Sequence, residues 1–517
     1  MPFFDFHIHP SMKSLFSDPP DKFSPWQNLD TSAIPDILNW CTEFKYILRS
    51  QGNLNQLWWN ECRLVCVALY APEKKILDNK LILGQSTKKG LSRYIHYDKI
   101  TKIINGTLKP YDLLVNDDLK TLLDPAQFGI NDKKVVPLWK RADYDESKSD
   151  TIYVVFSVEG CHSFSSSLSR LRPQEILDNI DDLATRVPLL TINLTHMEQY
   201  PLSNHAYGMQ FINDPDFRPT GFGLSSNGAK VVEHCYQKNI LIDIKHMSLG
   251  ARTQLYNLRR SPAFQNINQP LICTHAGFTG IRTSEIPKYF QKYRKDKKNG
   301  YTKVWIGKPI TACSSGIEPA FNPSSINLYD EDIMAILQSG GMIGLSLDKR
   351  ILGYDNPQGD QDDDTYAIET EYLSNKEETF FFTGPTGSAF DDGKCMLLDT
   401  VRQGGVVDPD LAEYHLRHFM AHVVHLIRVA QNAGYDVNRA LKQVCIGSDY
   451  DGMINPLSTC EKVDELVYFK ELFEKRLEDF ADSCGLALPG GFAIKTFSED
   501  LFYRNGRDFV LQRLDML

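Results

Sequence analysis

The residues with most chemical meaning stand at the start of the chain, where FFDFHIH (3–9) places His7 and His9 two apart at the end of an apolar run. Residues i and i+2 of a strand point to one side, so both imidazoles can grip one cation through neutral ring nitrogens. The placement recurs: Glu159, His196, His246, His275 and Asp449 also lie at or near the ends of apolar runs. Packing does not need an acid or an imidazole there, and burying one is costly unless it is paired or bound to a metal. Four histidines, His7, His9, His246 and His275, could hold two divalent metal ions if Glu159 bridges them. Imidazole and carboxylate donors suit Zn2+, with Mn2+, Fe2+ and Co2+ as alternatives. Two such ions can share a hydroxide, lower its pKa and clamp a scissile carbonyl or phosphoryl group. Asp449 would orient that water and move its proton.

For these residues to share a site, the runs that carry them must converge. Besides 3–9, the runs are RLVCVALY (63–70), IYVVFSVEG (152–160), PLLTINLTH (188–196), LIDIKHMS (241–248), PLICTHAG (270–277), GGMIGLSLD (340–348) and QVCIGSDYDG (443–452). Near-continuous apolar strands belong to a parallel sheet buried on both faces. Helical patterns over 226–239, 330–340 and 412–434 lie between them. Eight such alternations predict an α/β TIM (β/α)8 barrel, whose strand C-terminal ends form a single mouth. The chain reads as one barrel domain over 1–517, with insertions at about 10–62, 72–150, 283–325 and 351–398. All of these begin at strand C-terminal ends, so covers over a pocket are expected. The charged runs KYFQKYRKDKKNGYTK and DNPQGDQDDD read as solvated surface.

Other polar residues carry less weight. His415, His418, His422 and His425 share one face of the helix before the last strand and read as local packing. His162 and His205 follow strand ends and could line the pocket. Lys245 is expected to point away from the side that His246 takes, and Tyr450 is expected to face the outer layer.

Composition narrows the function classes. With 517 residues and 42% hydrophobic content the chain can bury a large core. A net charge of −10 gives no support to a nucleic-acid or anionic-membrane partner. The start, MPFFDFHIHP, lacks the basic and apolar regions of a signal peptide, and no run reaches a membrane span. Eleven scattered cysteines without spaced CxxC pairs favour a reducing cytoplasm over a disulfide framework.

Taken in order, SVEG (157–160), LTINLTH (190–196), GFGLSSNGAKVVEHCYQKNILIDIKHMS (221–248), ICTHAG (272–277), DEDIMAILQSGGMIGLSLD (330–348) and CIGSDYDG (445–452) resemble the membrane (renal) dipeptidase family of zinc peptidases, within the amidohydrolase superfamily. The resemblance covers about half the chain. It implies a binuclear zinc barrel that hydrolyses dipeptides and related amides. Glu159 matches the bridging carboxylate, His246 and His275 the ligands of the second metal, and His7 the first ligand on strand one. Asp449 matches the aspartate that handles the proton, and His196 the histidine that polarises the scissile carbonyl. His422 and His425 resemble histidines that the family carries at this point. Two departures stand out. The family usually has H-x-D where this chain has H-x-H, and its carboxylate-binding arginine follows the last histidine at a different spacing, leaving Arg282 as the nearest candidate. Barrels of this kind often pair, which leaves a homodimer open.

The expected activity is therefore amide hydrolysis in a small dipeptide-like substrate. Lactone hydrolysis, deacylation and decarboxylation are neighbouring chemistries. Phosphoesterases of the PHP and TatD types also open on an HxH strand; against them stand the SVEG carboxylate on strand three and the strand-five and strand-six histidines in dipeptidase-like context. A binding or scaffold protein on a degenerate barrel is the non-enzymatic alternative, and the full set of metal and proton-transfer residues argues against it.

Overall fold

The computed structural model describes residues 2–18, 22–35, 47–166, 172–208, 215–306, 310–313, 321–353, 370–382 and 411–516. Its strands in chain order are β1 (Phe4–Ile8), β2 (Leu64–Leu69), β3 (Lys134–Pro137), β4 (Thr151–Val158), β5 (Leu189–Asn193), β6 (Leu241–Asp243), β7 (Ile272–Ala276), β8 (Phe290–Asp296), β9 (Tyr301–Ile306), β10 (Met342–Leu345), β11 (Thr370–Ser374) and β12 (Val444–Ile446). The strands β1, β2, β4, β5, β6, β7, β10 and β12 pair in that order, every pair parallel. All eight expected strands are present, and the barrel is nearly closed.

Closure between last strand and first depends on polar groups. The backbone N–H of Asp449 donates to the His7 carbonyl and that of His9 to the Tyr450 carbonyl, both at 2.9 Å. Beneath them Asp5, 4% exposed, accepts from the backbone N–H groups of Ser448 (2.9 Å) and His7 (3.1 Å) and from the Ser448 hydroxyl. Burial pushes the Asp5 carboxyl up to about 7, against these hydrogen bonds. One side chain thus ties β1 to the loop after β12 and sets the register in which His7 and His9 are presented.

The helices that pack on the barrel are α1 (Pro173–Arg186), α2 (Ser226–Gln237), α3 (Leu249–Arg260), α4 (Asp330–Gln338), α5 (Leu411–Asn432), α6 (Leu466–Ser483) and α7 (Asn505–Leu514). Two start on serine caps: the Ser225 side chain accepts from Gly228 N–H, and that of Ser248 from Ala251 N–H. The Ser248 cap starts α3 two residues after His246, which fixes where that loop ends. Helix α7 plugs the bottom. Its Phe509, Val510 and Leu514 join Phe4, Phe6, Tyr153 and Leu241 in one core beneath the strands. There is no room for a side chain at Gly344 on β10 or at Gly447 just past β12: a Cβ on either would lie 1.8 Å from the Thr274 carbonyl. Glycine there lets three strands approach closely.

The excursions hold structure that periodicity did not reveal. The strand β3 adds to β4 in parallel, outside the barrel ring. The basic, Tyr-rich run does expose Lys288, Lys295, Lys297 and Lys298 to solvent, but it is also folded: β8 and β9 form a hairpin through residues 297–300, with Gly300 left-handed at φ 84°, and β11 pairs antiparallel with β9. Tyr301 and Val304 are buried there. The insertions at 283–325 and 351–398 therefore meet in one three-stranded sheet. The acidic run DNPQGDQDDD and the glycine-bearing stretch after Phe382 lie outside the described residues. Cys313 and Cys484 form a disulfide with Cα atoms 4.2 Å apart, a pairing the cysteine pattern did not announce, while seven other described cysteines are free and buried.

Phe509 packs edge-on against Phe6 at 5.8 Å, so Phe509→Ala should remove about 3 kcal/mol of stability. A clear drop in the urea unfolding midpoint, read by circular dichroism, is expected; an unchanged midpoint would show that the plug adds nothing.

Candidate metal centre

Each expected ligand comes from the C-terminal end of a barrel strand, and Glu159 sits at their focus. Its Oε1 lies 3.0 Å from His246 Nε2, 3.5 Å from His275 Nε2 and 3.6 Å from His7 Nε2, and its Oε2 lies 3.3 Å from His9 Nε2. The Nε2 atoms of His7 and His9 are 3.0 Å apart, and those of His246 and His275 are 3.2 Å apart. Asp449 Oδ1 is 3.5 Å from His9 Nε2 and 3.8 Å from His7 Nε2. All five ligand candidates are at most 3% exposed. Among the described residues, three sets could hold an ion: His7, His9 and Asp449; His7, Glu159 and His275; and Glu159, His196 and His246.

Whether these residues fit a cation is decided on the far side of the rings. Thr274 Oγ1 lies 2.9 Å from His7 Nδ1 and 3.1 Å from His275 Nδ1, and its hydroxyl also meets Asp243 Oδ2. A hydroxyl has one proton and two lone pairs. With its proton on Asp243, Thr274 accepts from both Nδ1–H groups, which leaves both Nε2 lone pairs aimed at the Glu159 carboxylate. Lone pairs facing a buried carboxylate repel unless a cation stands between them, so the donor set fits metal. Protonation tendencies agree. Burial pushes His7 and His275 well below their ordinary value, and His246 down to about 3, keeping these rings neutral as ligands must be. Burial would raise Glu159, but the imidazoles of His196 and His7 and hydrogen bonds from His246 and His9 hold it well below the carboxylate range. Burial disfavours the charged form of His9, yet hydrogen bonds to Asp449 and Glu159 push it up to about 10.

Two residues at this mouth adopt left-handed backbone, His246 at φ 66° and Asp449 at φ 64°. Such angles are uncommon outside glycine and mark backbone held by its surroundings. They also correct the expectation for Lys245. The strand β6 ends at Asp243, so strand alternation no longer applies; the left-handed turn swings His246 to the metal side while Lys245 also lines the cavity. Its Nζ is buried with no hydrogen-bond partner among the described residues. Tyr450 keeps its expected outer place, its hydroxyl donating to the Cys460 carbonyl at 2.6 Å.

The cavity over the site has a volume of about 80 Å3. Glu159, His196, His246, His275 and Asp449 form its polar floor, Met197, Ile326, Ile351 and Met453 stand among its apolar walls, and Arg350 is its arginine. Burial pushes the Asp449 carboxyl up to about 6, against its hydrogen bond with His9. His196 Nε2 lies 3.6 Å from Glu159 Oε2, and its Nδ1 is bonded at 2.6 Å to Glu73, a residue that the sequence reading passed over. Arg282 is not brought to the cavity. Its side chain is 55% exposed, with Nε 4.0 Å from Asp330, because Phe278 bridges to Leu328 and turns the chain outward after His275. His162 and His205 do not line the cavity either; they bond the carbonyls of Ala71 (2.6 Å) and Phe217 (2.9 Å). On α5, His422 bonds the His418 carbonyl and His425 bonds Asp330, away from the floor.

No protein-family model matches the sequence. A curated relative, an uncharacterized protein in the PQQ-III 3′ region of Acinetobacter calcoaceticus, is 23% identical over 173 residues. That match takes in 33% of this chain and 39% of the relative, so the chain spans about two fifths of the relative's length. Among solved structures, a metallo peptidase from Rhodobacter sphaeroides liganded with a phosphinate mimic of the dipeptide L-Ala-D-Ala aligns over 100% of this chain and 99% of its own. Its TM-score is 0.52 at 13% identity. The probable dipeptidase PvdM from Pseudomonas aeruginosa aligns over 90% of both chains, with a TM-score of 0.46 at 15% identity. The first likeness shows the fold, an α/β barrel. No helix among the described residues is long and apolar enough to cross a membrane.

Thr274→Val keeps the shape of the side chain and removes the hydroxyl that orients His7 and His275. Affinity for a divalent metal ion, read by chelator competition, should fall about 10- to 100-fold with the circular dichroism spectrum intact. Unchanged affinity would mean that the hydroxyl does not set the ligand geometry.

Proposed function

We propose that the chain is a metal-dependent hydrolase that cleaves the amide bond of a small, dipeptide-like substrate, and that it holds two divalent ions, zinc by donor chemistry. The observation that carries this reading is the convergence of four imidazole Nε2 atoms on the buried Glu159 carboxylate beside a cavity at the barrel mouth. The resemblance of the strand-end motifs to the membrane dipeptidase family supports the same substrate class. So does the dipeptide mimic held by the similar Rhodobacter sphaeroides structure.

His7, His9, Glu159, His246 and His275 would hold the ions, which when bound supply Lewis-acid polarisation and acidify water. The remaining work falls to side chains on the cavity floor. Asp449, on the cavity floor beside His9, is placed to take a proton from the attacking water and return it to the leaving amine nitrogen. His196 presents Nε2 to the cavity, where the scissile carbonyl oxygen would lie. The apolar walls exclude bulk water and favour uncharged side chains. A free substrate carboxylate finds Arg350 rather than Arg282. Asp348 engages the Nε/Nη2 edge of Arg350, with Nη2 2.7 Å from Asp348 Oδ2, so the guanidinium is held in place at the wall.

The deciding experiment pairs elemental analysis of purified protein with a mixed dipeptide library. About two zinc ions per chain and a turnover that chelator abolishes are expected. Metal without dipeptide cleavage would move the substrate to other amides, lactones or phosphoesters, and no metal after reconstitution would overturn the assignment. Asp449→Asn should keep its metal and lose roughly 100- to 10,000-fold in kcat; near-normal turnover would remove Asp449 from the proton path. Arg350→Met should raise KM for a dipeptide about 10- to 100-fold, and Arg282→Ala should leave it within about twofold. The reverse pattern would return the anchor to Arg282.

A further inference from the structure

One buried carboxylate beside the cavity has no part in metal binding or proton transfer as described. Glu73, 3% exposed, stands just before the short helix Lys74–Leu77, four residues after β2 ends. Its Oε1 bonds His196 Nδ1 at 2.6 Å and accepts from the Met197 backbone N–H at 3.2 Å. Its Oε2 accepts from the Tyr70 hydroxyl. Tyr70 stands edge-on to the His196 ring, with centroids 5.4 Å apart, while His246 closes the ring's other side at 4.4 Å. Reciprocally, Glu198, on the loop that carries His196, accepts from the backbone N–H groups of Lys75 and Ile76. Two loops from different barrel strands are thus locked to each other around one imidazole.

From this we infer that Glu73 is the positioning residue of His196: it takes the Nδ1–H and, braced by Tyr70, fixes the ring so that only Nε2 faces the cavity. The inference rests on the hydrolase reading for its kinetic consequence, though not for its geometry. A ring acceptor on Nδ1 decides which nitrogen is offered to substrate and at what angle. Among the described residues its Nδ1 has Glu73 as its hydrogen-bond partner, its Nε2 lies 3.6 Å from Glu159 Oε2, and the rings of Tyr70 and His246 restrain its rotation only by contact. A plain staple between two loops would give the same hydrogen bonds, so the test must separate the two roles. A staple acts on stability. A positioning residue acts on kcat through His196, and only while His196 is there.

The experiment compares full-length, zinc-loaded wild type with Glu73→Ala, Glu73→Gln, His196→Asn and the Glu73→Ala/His196→Asn double variant. Glu73→Ala should lower kcat about 100-fold, with KM within about threefold and zinc content unchanged. Glu73→Gln, whose amide oxygen can still accept from Nδ1–H, should recover to within about tenfold of wild type. The double variant should be no slower than His196→Asn alone. Independently of any substrate, proton NMR of the wild type should show a far-downfield imidazole N–H resonance, retained in Glu73→Gln and lost in Glu73→Ala and His196→Asn. Additive losses in the double variant, a Glu73→Ala effect confined to thermal stability, or a wild type without that resonance would each overturn the inference. If no dipeptide is turned over at all, the dipeptide reading fails while the resonance still decides what Glu73 does.

Discussion

The constraint on which the mouth of this barrel depends is the set of lone pairs aimed at one buried carboxylate. His7 and His275 give their Nδ1 protons to Thr274, so their Nε2 atoms face Glu159 with nothing to donate. Such a cluster is unfavourable in a protein interior without a cation. Folding must supply it anyway, through the polar contacts that close the ring. Asp5 joins β1 to the segment after β12, and Asp243 fixes the Thr274 hydroxyl from β6. Both carboxyls are raised by burial, Asp5 to about 7 and Asp243 to about 6, against the hydrogen bonds they accept. The polar framework beneath the floor is therefore itself costly, and it is arranged around the ligand rings.

Much of this was legible in the sequence because the physics of a buried parallel strand is local. A continuous apolar run that ends in His, Glu or Asp states both that the strand is buried and that its end is not used for packing. All eight barrel strands and every metal-ligand candidate were found on that ground. What stayed hidden depends on backbone geometry or on distant partners. Lys245 was misplaced because alternation holds only within a strand, and β6 stops at Asp243 before a left-handed turn at His246. Arg350 was overlooked and Arg282 preferred because spacing from the last ligand histidine ignores where the loop goes. Glu73 sits in APEKK, which reads as an ordinary charged loop until its contact with His196, 123 residues away, is seen. The hairpin of β8 and β9 was masked by lysines that dominate the run, although Tyr301 and Val304 supply its buried face.

The mouth is built by exchange between insertions rather than by any one of them. The loop after β2 holds His196, which belongs to the loop after β5. The antiparallel sheet joins the insertion after β7 to the insertion after β10. Glu377, just past β11, accepts from Gly223 N–H and lies 3.0 Å from the Ser248 hydroxyl that caps α3. A barrel alone would leave the site open; Ile76, Met197, Ile326 and Ile351, from the segments after β2, β5, β7 and β10, give it apolar walls.

Charge balance then says what kind of ligand such an enclosure favours. Histidines that ligate a metal must be neutral, so two bound divalent ions would outweigh Glu159 and Asp449 and leave a cationic floor. Arg350 adds little net charge at the wall, since Asp348 already accompanies it. The buried amine of Lys245 would worsen the excess if it were protonated, and burial pushes it toward the neutral form. A site with surplus positive charge in a low-dielectric cavity binds anionic groups, and it stabilises negative charge as that charge develops on an attacked carbonyl oxygen. A zwitterionic dipeptide, with its carboxylate toward Arg350 and its carbonyl over the floor, satisfies both demands at once, which a neutral ester or lactone of the same size does not.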